Sequence, residues 1–220
     1  MSERKLAVFD FDGVLLRGDS FAGYLRWRTR QRRWRLLAAL PLLPLLPLLG
    51  YARTLPFAAR IFARALTLGL TPQRFENEIA LFSEEWLSRP SRRIRPLLQR
   101  LQAHQTAGEH VVVVSGTAQL LLDTLLQQIG VSDVTALGTE LQFGGAGLRA
   151  RRHNFGAAKL VRMAEAGLPA HWHYCYSDSA ADLPILAAAD QAILVDPKPA
   201  EEAQLRAALG ARLVECVRTR

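Results

Sequence analysis

At 220 residues, half of them apolar, the chain can bury a full core, as one α/β domain with an insertion or as two small domains, and its composition excludes intrinsic disorder. Its two cysteines, Cys175 and Cys216, exclude a disulfide framework and fit a reducing, cytoplasmic setting. The net charge of +8 is unevenly spread: from Gly13 to Phe75 there are eleven arginines against one acidic residue, Asp19, an imbalance suited to an anionic partner. A general preference for Arg, twenty-five against three Lys, explains the choice of base but not the absence of acids from that stretch.

The first strand is expected over residues 6–9, an apolar run too short for a secretory signal. It leads directly into Asp10-Phe11-Asp12-Gly13-Val14. The two-residue period of an extended chain sets Asp10 and Asp12 on the same side. Like charges so placed repel unless a cation or a proton separates them. The pair therefore points to a divalent metal, acid/base chemistry or both at the carboxyl end of the strand.

Residues 19–90 contain no convincing strand. Helical spacing covers residues 21–35, 54–69 and 71–87, with Thr71-Pro72 a good N-cap and first-turn pair. This segment reads as a helical cap domain over the strand ends, leaving 1–18 and 91–220 as the α/β core. Asp19 stands where the chain enters the cap, where it could touch substrate; the alternative is helix N-capping by Asp19 or Ser20. Inside the cap, residues 36–51 read LLAALPLLPLLPLLGY. Sixteen apolar residues would make a helix of about 24 Å, short of the roughly 30 Å hydrocarbon core. Pro41, Pro44 and Pro47 would each cost about 3 kcal/mol in a helix interior, so a kinked structure is expected. Buried in the cap, it would be a hairpin. Beside Arg26, Arg28, Arg30, Arg32, Arg33, Arg35, Trp27 and Trp34, it has what a segment lying on an anionic headgroup layer needs.

Further strands are expected at 110–114, 134–137, 173–176 and 192–195, with 133–152 a strand followed by a hairpin whose turn is Gly144-Gly145-Ala146-Gly147. Strands alternating with helices give a Rossmann-like parallel sheet covered on both faces. Chemistry-bearing residues recur at the strand ends. Ser115-Gly116-Thr117 offers a hydroxyl and backbone N–H groups ahead of a helix starting near Gln119, an end that favours anions. Lys159 lies in a helix opening at Asn154-Phe155-Gly156, and residues 177–182, Ser-Asp-Ser-Ala-Ala-Asp, add Asp178 and Asp182. A phosphate among four aspartates needs a divalent ion, and hard oxygen ligands suit Mg²⁺. The lysine and the hydroxyl then hold phosphoryl oxygens. One paired carboxylate can attack phosphorus to form an aspartyl phosphate, and the other, kept protonated, can serve the leaving oxygen.

The ordered series Asp10-x-Asp12-Gly13-Val14, Ser115-Gly116-Thr117, Lys159 and Ser177-Asp178-Ser179-x-x-Asp182 resembles the haloacid dehalogenase superfamily, and the helical insertion resembles the C1-type cap of its phosphoserine-phosphatase-like branch, subfamily IB. The resemblance implies Asp10 as nucleophile and Asp12 as general acid/base. It implies Mg²⁺ held by Asp10, the Asp12 backbone carbonyl and Asp178, phosphate held by Ser115, Gly116 and Lys159, and Asp182 steadying the metal or the lysine. Val14 stands where many relatives have Thr, and Ser177 where a glycine is usual. Gly18-Asp19-Ser20-Phe21, the Leu/Pro run, Gly156-Ala157-Ala158-Lys159 and Tyr176-Ser177-Asp178-Ser179 resemble the bacterial phosphatidylglycerophosphatase C family. That resemblance implies hydrolysis of phosphatidylglycerophosphate to phosphatidylglycerol at the inner face of the cytoplasmic membrane, with the cap in peripheral contact.

Other readings carry less. A soluble phosphatase for a small phosphomonoester would need the apolar cap segment only as core. A phosphate- or Mg²⁺-sensing module, similar to response-regulator receivers, would lack both the D-x-D and the long cap. Nucleic acid could stack on the aromatics of the basic segment, but a leucine-proline run suits it poorly, so none is expected. His171, His173 and Cys175 alternate as zinc ligands could, with no fourth ligand in sight. Glu84-Glu85 reads as a solvated helix face.

Overall fold

The computed structural model describes residues 4–31 and 55–219, with positions 42, 44, 45 and 47 between them. Apart from Leu42, Pro44, Leu45 and Pro47, the apolar segment 36–51 lies outside the described residues, as do Arg32, Arg33, Trp34 and Arg35.

Seven strands form one sheet in the order β4-β3-β2-β1-β5-β6-β7. β1 (Leu6–Asp10) sits at the centre, parallel to β2 (His110–Ala118) on one side and to β5 (Trp172–Ser177) on the other. β3 (Thr135–Gln142) extends the sheet beyond β2, and β6 (Ala189–Val195) and β7 (Leu213–Val217) extend it beyond β5, all parallel. β4 (Arg149–Arg152) alone runs antiparallel, as the hairpin partner of β3. The expected α/β architecture is therefore present. β7 is an addition to the expected strands: its half-exposed edge sequence Leu-Val-Glu-Cys-Val lacks the continuous apolar run of a central strand.

Every residue of β1 is buried, and its side chains divide between two apolar clusters. Leu6 and Val8 join Val112, Val114, Trp172, Cys175 and Leu194 on one face. Ala7 and Phe9 join Val111, Val113, Tyr176 and Ile193 on the other. Period-two alternation in a strand covered on both sides requires this split. Helices between strands close the two faces: α4 (Arg95–Thr106) and α5 (Gln119–Gln128) belong to the Phe9 cluster, and α6 (Ala158–Glu165), α7 (Leu183–Ala187) and α8 (Pro199–Leu209) to the Val8 cluster.

Between β1 and α4 the described residues form α1 (Ser20–Gln31), α2 (Leu55–Leu66) and α3 (Pro72–Leu87), with no strand among them. Thr71 caps α3 by accepting from the Arg74 N–H at 3.3 Å, with Pro72 in the first turn, as the sequence requires. Tyr24, Phe75, Ile79 and Phe82 of these helices belong to the same apolar cluster as Phe9 and Val113. The β3–β4 turn docks on them. Leu148 N–H donates to Thr67 Oγ1 at 2.9 Å, Phe143 meets Phe75 edge-on at 5.4 Å, and a Cβ at Gly147 would stand 2.1 Å from the Arg64 carbonyl. Gly147 also has φ +89°, so both the turn and the close approach call for glycine.

Two residues of the basic, aromatic belt are engaged within the protein: Arg28 is withdrawn from solvent and Trp27 is partly so. Arg28 is 1 % exposed; its guanidinium pairs with Glu78, whose carboxylate also accepts from Tyr24 Oη at 2.8 Å, and its Nε donates to the Leu66 carbonyl. Trp27 is half-buried and donates its indole N–H to Glu85 at 2.7 Å, so Glu85 is not merely a solvated face. Among the described residues no helix is long and apolar enough to cross a membrane.

Removing Glu78 would take a carboxylate partner from a buried guanidinium, a change that typically destabilises by about 3 kcal/mol. Glu78→Ala should accordingly lower the urea midpoint far more than Glu85→Ala, whose exposed hydrogen bond contributes about 1 kcal/mol or less. Equal midpoints for the two variants would refute a stabilising role for the Arg28–Glu78 pair.

Candidate active site

β1, β2 and β5 are adjacent and parallel, so their carboxyl ends open at one edge of the sheet. Asp10 is the last residue of β1 and pairs in register with Val114, one residue before Ser115. β5 ends at Ser177, with Asp178 next in the chain.

Lys159, in the first turn of α6 and 3 % exposed, reaches across to this edge. Its ammonium donates to Asp10 Oδ1 at 2.8 Å and to Asp182 Oδ2 at 2.7 Å. Ser177 Oγ donates to the same Asp182 oxygen at 2.8 Å and accepts from the Ser179 N–H at 3.2 Å. A hydroxyl in place of the usual glycine at 177 thus shapes the last motif. Burial lowers the proton affinity of Lys159, but the carboxylates of Asp10 and Asp182 outweigh it and leave the ammonium firmly charged.

Asp12 is fixed from the opposite side. Ser20 donates to both of its oxygens, Oγ to Oδ2 at 2.9 Å and the backbone N–H to Oδ1 at 3.1 Å. Ser20 Oγ also lies 2.9 Å from Thr117 Oγ1, which ties the entry of α1 to the end of β2. Asp19 accepts from the Ala22 N–H at 2.8 Å and so caps α1, the second of its two sequence readings; its exposed charge still bears on Asp12.

The turn between Asp12 and Leu16 is closed by Gly13 N–H donating to the Leu16 carbonyl at 2.7 Å. Gly13 has φ +86°, and a Cβ there would fall 2.0 Å from Asp178 Oδ2. Only glycine lets that carboxylate lie against the turn that carries Asp12.

The Ser115-Gly116-Thr117 segment differs from its sequence reading. β2 continues through it with a register shift between Val114 and Ala118, and Thr117 N–H is taken by Ser115 Oγ at 3.1 Å. Thr139 Oγ1 donates to the Gly116 carbonyl at 2.7 Å and accepts from Asn154 N–H at 3.1 Å, while Asn154 Nδ2 donates to the Leu137 carbonyl. The helix that carries Lys159 begins at Ala158, after a turn in which Gly156 adopts φ +57°. Ser20, Thr139 and Asn154 were not legible as site residues, because each acts on a partner in a different element.

Electrostatics follow from the crowding. Burial, then Asp182 and Asp178 against the pull of Lys159, raises the Asp10 carboxyl to about 7. Burial and Asp182 raise Asp178 to about 6. Burial, Asp19 and Asp10 push Asp12 well above the usual carboxylate range despite its Ser20 hydrogen bonds. Lys159 pairs with Asp10 and Asp182 only, so with Asp12 and Asp178 nearby the set is short of positive charge, and the hard oxygen donors present suit Mg²⁺. Among the described residues no group of three or more His, Cys, Asp or Glu side chains cages a metal by itself. Mg²⁺ does not need one, since it keeps waters and substrate oxygens beside one or two carboxylates. The residues fit the ion. The HxHxC strand is otherwise engaged: His171 pairs with Asp190, His173 Nδ1 accepts from Leu6 N–H, and Cys175 is buried in the core.

The family model for haloacid dehalogenase-like hydrolases matches residues 7–187. Among solved structures, a Bordetella pertussis Tohama I protein of unknown function is 23 % identical with a TM-score of 0.63, the alignment covering 97 % of this chain and 99 % of that one. A phosphoserine phosphatase solved as a phospho-aspartyl intermediate analogue is 16 % identical at TM-score 0.59, covering 98 % and 94 %. At these identities the likeness is one of fold. Histidinol-phosphatase of Neisseria meningitidis serogroup C (strain 8013) is 28 % identical over 137 residues, 56 % of this chain, and the chain spans 60 % of that protein's length. Phosphatases of the family depend on Mg²⁺. The family match takes in Asp10, Asp12, Lys159, Asp178 and Asp182 together, and the chain belongs to the haloacid dehalogenase-like hydrolases.

Proposed function

We propose that the protein is a Mg²⁺-assisted phosphomonoester hydrolase working through an aspartyl phosphate on Asp10. The observation that carries this reading is the buried Lys159 bridging Asp10 and Asp182 while Ser20 holds Asp12 apart from that pair. The two first-motif carboxylates thereby acquire different environments, the requirement for one to attack and the other to exchange protons.

Lys159 occupies Asp10 Oδ1 and leaves Oδ2 to approach phosphorus. As the Asp10–phosphorus bond forms, the bond from phosphorus to the leaving oxygen breaks and the Asp12 proton passes to that oxygen. Asp12, now ionised, takes a proton from water, whose oxygen attacks phosphorus and releases phosphate from Asp10. Ser115, Gly116 and Lys159 are assigned to the phosphoryl oxygens. Asp10, the Asp12 carbonyl and Asp178 would hold Mg²⁺, which supplies charge neutralisation of the phosphoryl group. Asp182 acts on the reaction through Lys159, and residues 19–90 act as a cap over the strand ends.

For the substrate, we propose a membrane lipid phosphate, phosphatidylglycerophosphate giving phosphatidylglycerol, with the protein peripheral on the cytoplasmic face of the membrane. The apolar run 36–51 beside its arginines supports this. The similarity to histidinol-phosphatase favours a small soluble phosphomonoester instead. Phosphate release from vesicle-borne phosphatidylglycerophosphate, measured beside histidinol phosphate and phosphoserine, separates the two: a preference for either soluble compound would reject the lipid assignment.

Asp10→Asn should reduce turnover by roughly a thousandfold or more and abolish trapping of a phosphoenzyme, as loss of a nucleophile does. Wild-type turnover undiminished by excess chelator would contradict the metal-assisted mechanism. A second expectation follows from linkage. Asp10 and Asp178 bind protons more tightly folded, at about 7 and about 6, than at their ordinary value of 3.8. Their contribution to stability is present at low pH and is lost as pH rises through those values. Without metal, the melting temperature should fall between about pH 5 and about pH 8, and Mg²⁺ should restore more of it at the higher pH. Asp178→Asn should flatten both trends; an unchanged profile in that variant would remove Asp178 from the metal set.

A further inference from the structure

The chain passes between the sheet and the helical segment twice, outward after Leu16 and back after Leu87. The two crossings are hydrogen-bonded to each other: Arg17 N–H donates to the Arg92 carbonyl at 2.7 Å, Ile94 N–H to the Leu15 carbonyl at 3.0 Å, and Arg92 Nη1 to the Arg17 carbonyl at 3.1 Å. Beside this junction lies an open cavity of about 380 Å³ lined by Arg17, Pro90, Ser91, Arg93, Arg95 and Pro96, with no acidic residue in its wall.

The positive charge there is larger than the cavity wall alone. Arg92 stacks on Trp86 with its guanidinium carbon 3.6 Å from the ring centroid, and burial and then the charges of Arg89 and Arg26 lower its proton affinity. Arg17 reaches Asp196 at 3.4 Å, but among the described residues Arg26, Arg89, Arg92, Arg93 and Arg95 form no ion pair with a carboxylate. Several of these guanidiniums are held in place by main-chain oxygens: Arg17 donates to Thr219, Arg92 to Arg17 and Arg93 to Leu87. Carbonyls orient an arginine without neutralising it. The result is a cationic pocket in which Arg17 has a carboxylate partner while Arg93 and Arg95 have none among the described residues, an arrangement suited to guanidinium binding of phosphate oxygens.

We infer that this junction is a second anion site, separate from Asp10, which takes a phosphate group through Arg17, Arg93 and Arg95. The same chemistry is presented by phosphodiester headgroups on a lipid surface and by free phosphate or pyrophosphate. Because both crossings border the pocket, an occupant bridges the segment entering the helices and the segment leaving them.

Arg89→Glu with Arg95→Glu is the informative variant, since both side chains are exposed and neither holds a main-chain oxygen among the described residues. Flotation is measured with phosphatidylcholine vesicles, with and without phosphatidylglycerol, and pyrophosphate binding by calorimetry. The site predicts binding to the phosphatidylglycerol vesicles that weakens with salt and falls by about tenfold or more in the double variant, with hydrolysis of a soluble phosphomonoester unchanged. If the lipid is not the source, wild type should instead bind two pyrophosphates and the variant one, with no difference on vesicles. Wild type and variant alike in both measurements would overturn the inference. Absence of hydrolysis in wild type would count against the proposed reaction and leave these readouts intact.

Discussion

The arrangement at the sheet edge depends on one buried ammonium among several carboxylates. Lys159 is held between Asp10 and Asp182, and its charge is what lets two strand ends bring acids together inside a protein. One lysine does not balance the set. Asp10, Asp12 and Asp178 all hold protons more tightly than isolated carboxylates, the response of buried anions to a deficit of cations. A divalent ion, as the proposed hydrolysis requires, would relieve that deficit.

The loops are built to keep this electrostatic compromise in one geometry. Gly13 turns the chain in a left-handed conformation and leaves no side chain in the path of Asp178. Ser20 holds Asp12 with two hydrogen bonds and joins it to Thr117, and Ser177 braces Asp182 and the turn that follows β5. Thr139 and Asn154 brace the Gly116 backbone from the neighbouring strand and loop. Short polar side chains recur because each must satisfy a buried donor and acceptor without filling the crevice.

The helical segment between β1 and α4 is anchored by different physics. Its aromatic residues share an apolar cluster with one face of the sheet, and the buried Arg28 sits among them paired with the partly exposed Glu78. The β3–β4 turn touches the segment at Gly147 and Leu148, and the two crossings lie against each other at Arg17 and Arg92. The segment therefore meets the core through unlike chemistries: apolar packing on one sheet face, a hydroxyl contact from Ser20 to Thr117, an apolar and main-chain contact at the turn, and a cluster of guanidinium groups at the crossings.

The central place of the strand before Asp10 came from the sheet order, while the sequence by itself determined the alternation of strands and helices and the placing of acids, hydroxyls and a lysine after the strands. These are local signals: period-two apolar runs, capping pairs such as Thr71-Pro72, and acids immediately after strands. β7 escaped because an edge strand need not be apolar. Tertiary structure alone decided that Lys159 meets both Asp10 and Asp182, that Ser20 rather than Asp19 holds Asp12, and that Arg28 turns inward to Glu78 instead of outward with its neighbours. It also gathered Arg17 with Arg92, Arg93 and Arg95, which lie some seventy-five positions apart in the chain. Hydrogen bonds and ion pairs of this kind have no sequence period, because their partners are brought together by the sheet and not by the local chain.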